Sequence, residues 1–281
     1  MECALYVVAT PMGNLRDISL RALDILTSAN TIAAEDTRNT AHLLTHYGIT
    51  AQRLIAVHQH NERGAAQKII TFLSQGQAVA LVTDAGTPAV SDPGAVLVDE
   101  VREAGYRVIP IPGANAAVAA ISAAGLYSPH FLFYGFLPNK SSSRCRELQK
   151  LIAMPYTLAF YEAPHRILEC VTDLKSVFES DRQIVFAREM TKLFESIHRC
   201  TLNEALDWLN SDTNNLRGEF VLLVSGATKK EEGLDSEAER VLTLLLNELP
   251  LKQAVQLAVQ ITCLGRNELY QRALQIKAEL S

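Results

Sequence analysis

The chain has 281 residues, a length that suggests about two domains. Hydrophobic residues make up 48% and charged residues 20%, which excludes a disordered or fibrous class and supplies apolar material for two cores without disulfides or metals. The formal net charge of −5 excludes a generally basic surface, so any nucleic-acid site has to be a local positive patch on an acidic body.

In chain order, Leu5–Ala9 reads as a buried strand and Asp17–Leu26 as an amphipathic helix with Ile18, Ala22, Leu23 and Ile25 on its apolar face. Thr31–Ala34, Leu54–Val57, Ala78–Val82 and Arg107–Ile111 read as further strands, separated by helical patterns at Thr40–Tyr47, Ala65–Leu73 and Gly94–Ala104. Strands alternating with helices imply crossovers and a mainly parallel sheet covered on both faces. A second alternation follows Gly125, Ser128 and Pro129. Its strands are expected at Phe131–Tyr134, Thr157–Tyr161, Gln183–Ala187 and Phe220–Val224, with Phe194–Arg199 as an antiparallel addition. Its helices are expected at Ser143–Ile152, Arg166–Phe178 and Thr201–Leu209. The polar, glycine-flanked stretch 226–233 reads as a linker. Three short helices follow at Ser236–Leu249, Leu251–Thr262 and Asn267–Ala278, broken by Pro250 and Gly265. The expected division is therefore α/β over 1–124, α/β over 125–228, and a helical, helix-turn-helix-like part over 233–281.

The cysteines (Cys3, Cys145, Cys170, Cys200 and Cys263) are scattered and form no C-x-x-C pair, which argues against a disulfide framework or a zinc site. Met1–Thr10 lacks the features of a signal peptide, and no apolar run approaches the ~20 residues of a membrane span. A soluble cytoplasmic protein is expected.

In an open parallel sheet, ligands bind outside the carboxyl ends of the strands. The segments there are Thr10-Pro-Met-Gly-Asn14, Glu35-Asp-Thr-Arg38, His58-Gln-His-Asn-Glu62, Thr83-Asp-Ala-Gly-Thr-Pro88 and Pro112-Gly-Ala-Asn115. They gather polar and small residues at one edge, as a functional site would. The dinucleotide fingerprint G-x-G-x-x-G, the P-loop, the G-x-S-x-G elbow and the H-E-x-x-H helix are all missing. Gly86 and Gly94 allow tight turns and a close backbone approach to a ligand, with Thr87 beside them for polar groups. Asn115 is placed to cap a helix or to present its amide. His58, His60 and Glu62 share a face of an extended chain, as a metal site or, more simply, a polar substrate rim. No metal is expected, because no fourth ligand accompanies them.

Taken together, these segments resemble the tetrapyrrole-methylase family, in the branch that methylates a ribose of small-subunit ribosomal RNA. Gly135-Phe-Leu-Pro138, Tyr161-Glu-Ala-Pro-His-Arg166, Arg188-Glu-Met-Thr-Lys192, Gly218-Glu-Phe220, Leu249-Pro-Leu-Lys252 and Asn267-Glu-Leu-Tyr270 extend the resemblance over nearly the whole chain. Thr83 and Met190 depart mildly from it, where serine and leucine are expected. The resemblance implies two α/β domains with S-adenosylmethionine between them. It implies cofactor contacts at Thr10, Asp84, Gly86, Thr87, Asn115, Ala116, Tyr161, Glu162, Arg188, Thr191, Gly218 and Glu219. It implies a homodimer acting on the ribose hydroxyl of a cytidine in the decoding region of 16S rRNA, in the small ribosomal subunit.

Methyl transfer is an in-line displacement in which the hydroxyl proton must also leave, so a base or a polarising cation is expected. Glu35, Asp36, Arg38, Glu189 and Lys192 are the candidates, and Asp36 and Lys192 are taken as catalytic. For RNA, Lys140, Arg144, Arg146 and Lys150 form a basic run opposed only by Glu147. Arg38 and Arg166 stand at loop ends and join Lys140, Arg144 and Arg146 as expected RNA contacts. Two other readings compete. A porphyrin- or corrin-type methylase would need neither the basic run nor the helical tail. A cofactor-sensing DNA regulator would rely on a tail with only four basic residues against two acidic ones beyond Pro250.

Overall fold

The structure is a computed structural model that describes residues 1–227, 236–262 and 264–279. The chain divides into two compact units, Met1–Ala227 and Thr228–Ser281. Beyond Ala227 the expected linker lies outside the described residues, as does Cys263.

In the first half of the larger unit, β1 (Leu5–Val8), β2 (Thr31–Ala34), β3 (Leu54–Ala56), β4 (Val79–Val82) and β5 (Val108–Ile111) form a sheet in the order β3-β2-β4-β1-β5. All pairings in it are parallel. The helices are α1 (Leu20–Ser28), α2 (Thr37–His46), α3 (Glu62–Ser74), α4 (Ala95–Glu103) and α5 (Ala116–Ala124). Successive strand residues point to opposite faces. Tyr6 and Val8 thus join Ala22 and Leu26 of α1 in one core, while Leu5 joins Ile69 and Leu73 of α3 and Leu97 and Val101 of α4 in another. Burial on both faces explains why these strands read as continuous apolar runs.

The second half holds β6 (Phe131–Phe136), β7 (Thr157–Glu162), β8 (Gln183–Arg188), β9 (Ser196–Thr201) and β10 (Phe220–Val224), in the order β6-β7-β10-β8-β9. Only β6 and β7 pair in parallel in this sheet, while β10 runs antiparallel to β7 and β8, and β9 antiparallel to β8. The parallel preference of the first half therefore does not carry over. A short connection joins β8 to β9 as a hairpin, and the chain then crosses back over β8 through the helix at Leu202–Ser211 to insert β10 between β7 and β8. The helices α6 (Ser141–Leu151), α7 (Ile167–Val177) and α8 (Leu202–Ser211) cover one face through Leu148, Leu174 and Leu209. Thr201 starts α8 with a reciprocal capping box to Glu204.

The other face of this sheet is covered by α5, whose Ala120 and Ala124 pack on Ala159, Val185, Val221 and Leu223. The sequence Ala116-Ala-Val-Ala-Ala-Ile-Ser-Ala-Ala124 presents mostly methyl-sized side chains, so the helix seats close to the strands. The last helix of the first half is thereby part of the second half's core, and its amino end faces the crevice between the two sheets.

In the smaller unit, α9 (Ser236–Glu248), α10 (Leu251–Thr262) and α11 (Arg266–Glu279) enclose a core of Leu242, Val255, Leu269, Ala273 and Ile276. Arg272 of α11 pairs with Glu239 of α9. No helix among the described residues is long and apolar enough to cross a membrane.

Candidate functional site

At the carboxyl edge of the first sheet, Thr10 and Gly86 exchange backbone hydrogen bonds: the Thr10 amide donates to Gly86 at 2.8 Å and the Gly86 amide to Thr10 at 2.9 Å. The Thr10 hydroxyl donates to the Thr83 carbonyl at 2.9 Å, and that of Thr87 to the Ala114 carbonyl at 3.0 Å. These bonds lock the segments after β1, β4 and β5 into one rigid rim. Asn115 caps α5, its side-chain oxygen accepting from the Val118 amide at 3.1 Å.

Between this rim and the second sheet lies a cavity of about 320 Å³. The first half contributes Gly86, Thr87, Val90, Asp92, Asn115 and Ala116 to its lining. From the second half come Phe136, Tyr161, Glu162, Met190, Glu219 and Phe220. Seven of the expected cofactor residues meet here: Gly86, Thr87, Asn115, Ala116, Tyr161, Glu162 and Glu219. The mixture of apolar walls and a few convergent polar groups is typical of a small-molecule site.

Glu162 is the buried charge of the cleft. Its Oε1 accepts from the Ala163 amide at 2.8 Å and lies 3.1 Å from Arg166 Nε, while Oε2 is buried with no hydrogen-bond partner. The Glu162 side chain has no exposed surface, and the Cys170 thiol and Arg144 are its further neighbours on the helix side of β7.

The remaining expected cofactor residues shape the cleft without lining it. Thr10 is a bridging residue of the rim. Arg188 holds the β8–β9 turn, donating from Nε to Ser196 Oγ at 3.0 Å and from a terminal nitrogen to the Asn214 carbonyl at 3.0 Å. Thr191 donates its amide to Glu195 at 2.6 Å. Gly218 has φ +84° and lies against the Glu189 side chain, whose Cγ would be 2.3 Å from an added Cβ, so no other residue fits there. Asp84 lines a neighbouring cavity instead, with its carboxylate accepting from the Asp36 amide at 3.1 Å and from Asn39 Nδ2 at 2.9 Å.

Asp92 also lines the cleft, although Ser91-Asp-Pro-Gly94 has the composition of a plain turn and gives no sign of it in sequence. The turn is strained: Ala89 and Ser91 both hold left-handed backbone, at φ +66° and +67°. It delivers Asp92 into the cleft. Burial first, then the charges of Glu35 and Asp84, push its carboxyl up to about 6 against a hydrogen bond with Thr83. The Thr83 hydroxyl donates to Glu35 Oε2 at 2.5 Å, so the Thr83 departure from serine keeps the hydroxyl that this network uses.

Of the two residues expected to be catalytic, neither is placed to accept a proton. The Arg38 side chain, followed by the Arg38 amide, holds the Asp36 carboxyl down at about 2, too acidic for an effective base near neutrality. Lys192 Nζ donates to Glu189 Oε1 at 2.9 Å and to Glu219 Oε2 at 2.8 Å. Burial works against its charge, but the two carboxylates outweigh it and the net shift is upward, so Lys192 stays an ammonium.

The basic run does not form one surface. Arg144 is fully buried, with Nε donating to Asp173 Oδ2 at 2.6 Å and a terminal nitrogen to the Pro138 and Asn139 carbonyls at 3.3 Å each. Expected as an RNA contact, it is a core ion pair. Arg166 is mostly covered between Glu162 and the Leu137 carbonyl, to which it donates at 2.7 Å. Lys140, Arg146 and Arg38 are exposed, Arg38 in a pair with Asp36. Glu62 is committed as well: its Oε2 caps α4, accepting from the Gly94 and Val96 amides at 3.0 and 3.1 Å. Among the described residues, no group of three His, Cys, Asp or Glu side chains is placed to hold a metal ion.

Residues 4–206 match the model of the tetrapyrrole (corrin/porphyrin) methylases, and residues 232–277 that of the RsmI C-terminal HTH domain. The chain is 52% identical over 273 residues to ribosomal RNA small subunit methyltransferase I of Pseudomonas aeruginosa, covering 96% of each chain. The namesake from Vibrio cholerae is 47% identical, over 96% of this chain and 94% of that one. The chain belongs to the tetrapyrrole-methylase family, in its ribosomal RNA small subunit methyltransferase I branch. Solved structures share the fold of this family member: the methyltransferase CobJ, at 22% identity, has a TM-score of 0.59 over 82% of this chain and 97% of its own. A uroporphyrin-III C-methyl transferase from Thermus thermophilus, complexed with S-adenyl homocysteine, has a TM-score of 0.56 at 16% identity, over 79% of this chain and 97% of its own.

Proposed function

We propose that this protein methylates the ribose 2'-hydroxyl of a cytidine in 16S rRNA of the small ribosomal subunit, with S-adenosylmethionine bound in the cleft between the two sheets. The reading is carried by the 52% identity to a ribosomal RNA small subunit methyltransferase I, spread over 96% of both chains. Asp92 and Glu219 give the cleft acidic groups that suit a cationic cofactor, and Phe136, Tyr161 and Phe220 offer apolar surface for an adenine. Bound there, the cofactor would supply an electrophilic methyl group on a sulfonium, with a neutral thioether as the leaving group.

The chain's own groups do the rest. The locked rim from Thr10 to Asn115 fixes the line of approach, which is where much of the rate of a displacement comes from. Asp92 takes the hydroxyl proton. Lys192, held charged by Glu189 and Glu219, supplies fixed positive charge beside the cleft. Lys140, Arg146 and Arg38 contact RNA phosphates. The parts are 1–124 and 125–228 for chemistry and 233–281 for docking on the subunit. Leu193 and Phe194, exposed beside the edge strand β9, support assembly as a homodimer.

The test is transfer of a labelled methyl group to small subunits purified from cells lacking this chain, with a porphyrinogen as the competing acceptor. The expected outcome is label in the RNA alone. Label in the macrocycle, or none in the RNA, overturns the reading.

A further inference from the structure

A second cavity of about 360 Å³ adjoins the cofactor cleft, walled by the segment after β1 on one side and by α2 on the other. Met12 and Ala85 line both cavities, so the two adjoin at these residues. We propose that this second cavity receives the flipped-out cytidine of the RNA substrate, with its 2'-hydroxyl at the Met12–Ala85 junction facing the cofactor. The proposal rests on the function inferred above and assigns the substrate side of the same site.

The walls have the chemistry of a nucleobase pocket. Leu15 and Leu43 supply apolar surface, and His42 and His46, one turn apart on α2, supply flat rings of the kind on which unstacked bases settle. Asp84 and Asn39 supply the polar edge. A carboxylate accepts from the exocyclic amine of cytosine and would repel the carbonyl that uracil has there. Asp84 is held for such a role by the Asp36 amide and Asn39, each on a different carboxylate oxygen, which leaves lone pairs on both.

The pocket is also preorganised. The Tyr47 hydroxyl donates to the Leu15 carbonyl and ties the end of α2 to the opposite wall. At Gly13 the Lys192 stem crosses the wall so closely that a Cβ would lie 2.3 Å from its Cγ. The Lys192 ammonium is bound to Glu219 of the cofactor cleft, so a fixed cation braces the place where the two cavities meet. Enzymes that act on a base extrude the nucleotide into a snug pocket, and here a seated base would hold the attached ribose hydroxyl at the junction. The volume lies near the lower end of the range for small-ligand sites, roughly 300–1,000 Å³, which suits one nucleoside better than a macrocycle. Among the described residues no lysine or arginine lines the cavity, so the carboxylates of a porphyrin-type ring would meet Asp84 with no cation among the lining residues.

The experiment measures KM for small subunits from cells lacking this chain, together with cofactor affinity by calorimetry. It uses Leu43→Trp, which fills the cavity, and the double variant His42→Ala/His46→Ala, whose exposed positions keep the fold intact should the tryptophan disrupt it. The expected result is a rise of about tenfold or more in the subunit KM, the scale of a lost stacking contact, with cofactor affinity within about twofold of the parent. Asp84→Asn is expected to narrow the preference for cytidine over uridine at the methylated position. Parent-like subunit kinetics in every variant that folds, with a parent that labels the RNA, overturns the pocket and leaves the function standing. A parent that labels no RNA overturns the function itself.

Discussion

Replacing Asp92 with asparagine is expected to lower methyl transfer by about 10²- to 10⁴-fold, the range for removing a positioned general base, while leaving the protein at least as stable as the parent. Its carboxyl is pushed up to about 6, chiefly by burial and then by Glu35 and Asp84. The folded state therefore binds this proton more tightly than the unfolded chain, whose aspartates titrate at about 3.9. The resulting stabilisation is full below about pH 4 and lost as the pH rises through about 6. At pH 7.5 the ionised Asp92 is a destabilising group, and the neutral asparagine removes that cost. A rise from about 3.9 to about 6 corresponds to about 3 kcal/mol, which solvent screening of this partly exposed group reduces to about 1 kcal/mol. In the parent, kcat/KM should fall below about pH 6, and the residual activity of Asp92→Asn should lack that limb. Activity close to the parent, with the acid limb retained, would remove Asp92 from the mechanism.

Arg144→Ala is expected to cost about 3–5 kcal/mol of stability, because it leaves Asp173 charged and largely buried with only Ser141 as a side-chain partner. At roughly 2–4 °C per kcal/mol for a unit of this size, the melting temperature should fall by about 6–20 °C. Arg146→Ala, two residues along on the exposed face of α6, should change stability by no more than about 0.5 kcal/mol. Arg144→Lys should not rescue, since one ammonium cannot reproduce the fork that reaches Asp173 and the Pro138 and Asn139 carbonyls together. Thermal unfolding of the three variants measures this. An Arg144→Ala protein that melts like the parent but binds subunits weakly would return Arg144 to the RNA surface.

These two residues also mark how far the sequence could be read. Strand ends carry ligands in open sheets, so local pattern was enough to find the rim from Thr10 to Asn115. The tail was equally legible, since Pro250 and Gly265 punctuate its three helices. Arg144 was misread because its partner Asp173 stands on the next helix, and a basic run in sequence carries no sign of which member turns inward. Asp92 was missed because the composition of its turn is ordinary, and only the left-handed Ala89 and Ser91 and the fold of the loop aim it into the cleft. The mixed second sheet was hidden for a related reason: the insertion of β10 between β7 and β8 is a long-range pairing with no local signature. Asp84 is expected at the cofactor from its place after β4, but which of two adjoining cavities it lines depends on how α2 lies against the β4 loop.

The most direct measurement is nucleoside mass spectrometry on digested 16S rRNA, after small subunits from cells lacking this chain are incubated with the protein and S-adenosylmethionine. The expected result is one new 2'-O-methylcytidine per subunit with the parent protein, and a yield near background with Asp92→Asn. A methyl group on a base, on a ribose other than a cytidine's, or nowhere in the RNA would contradict it.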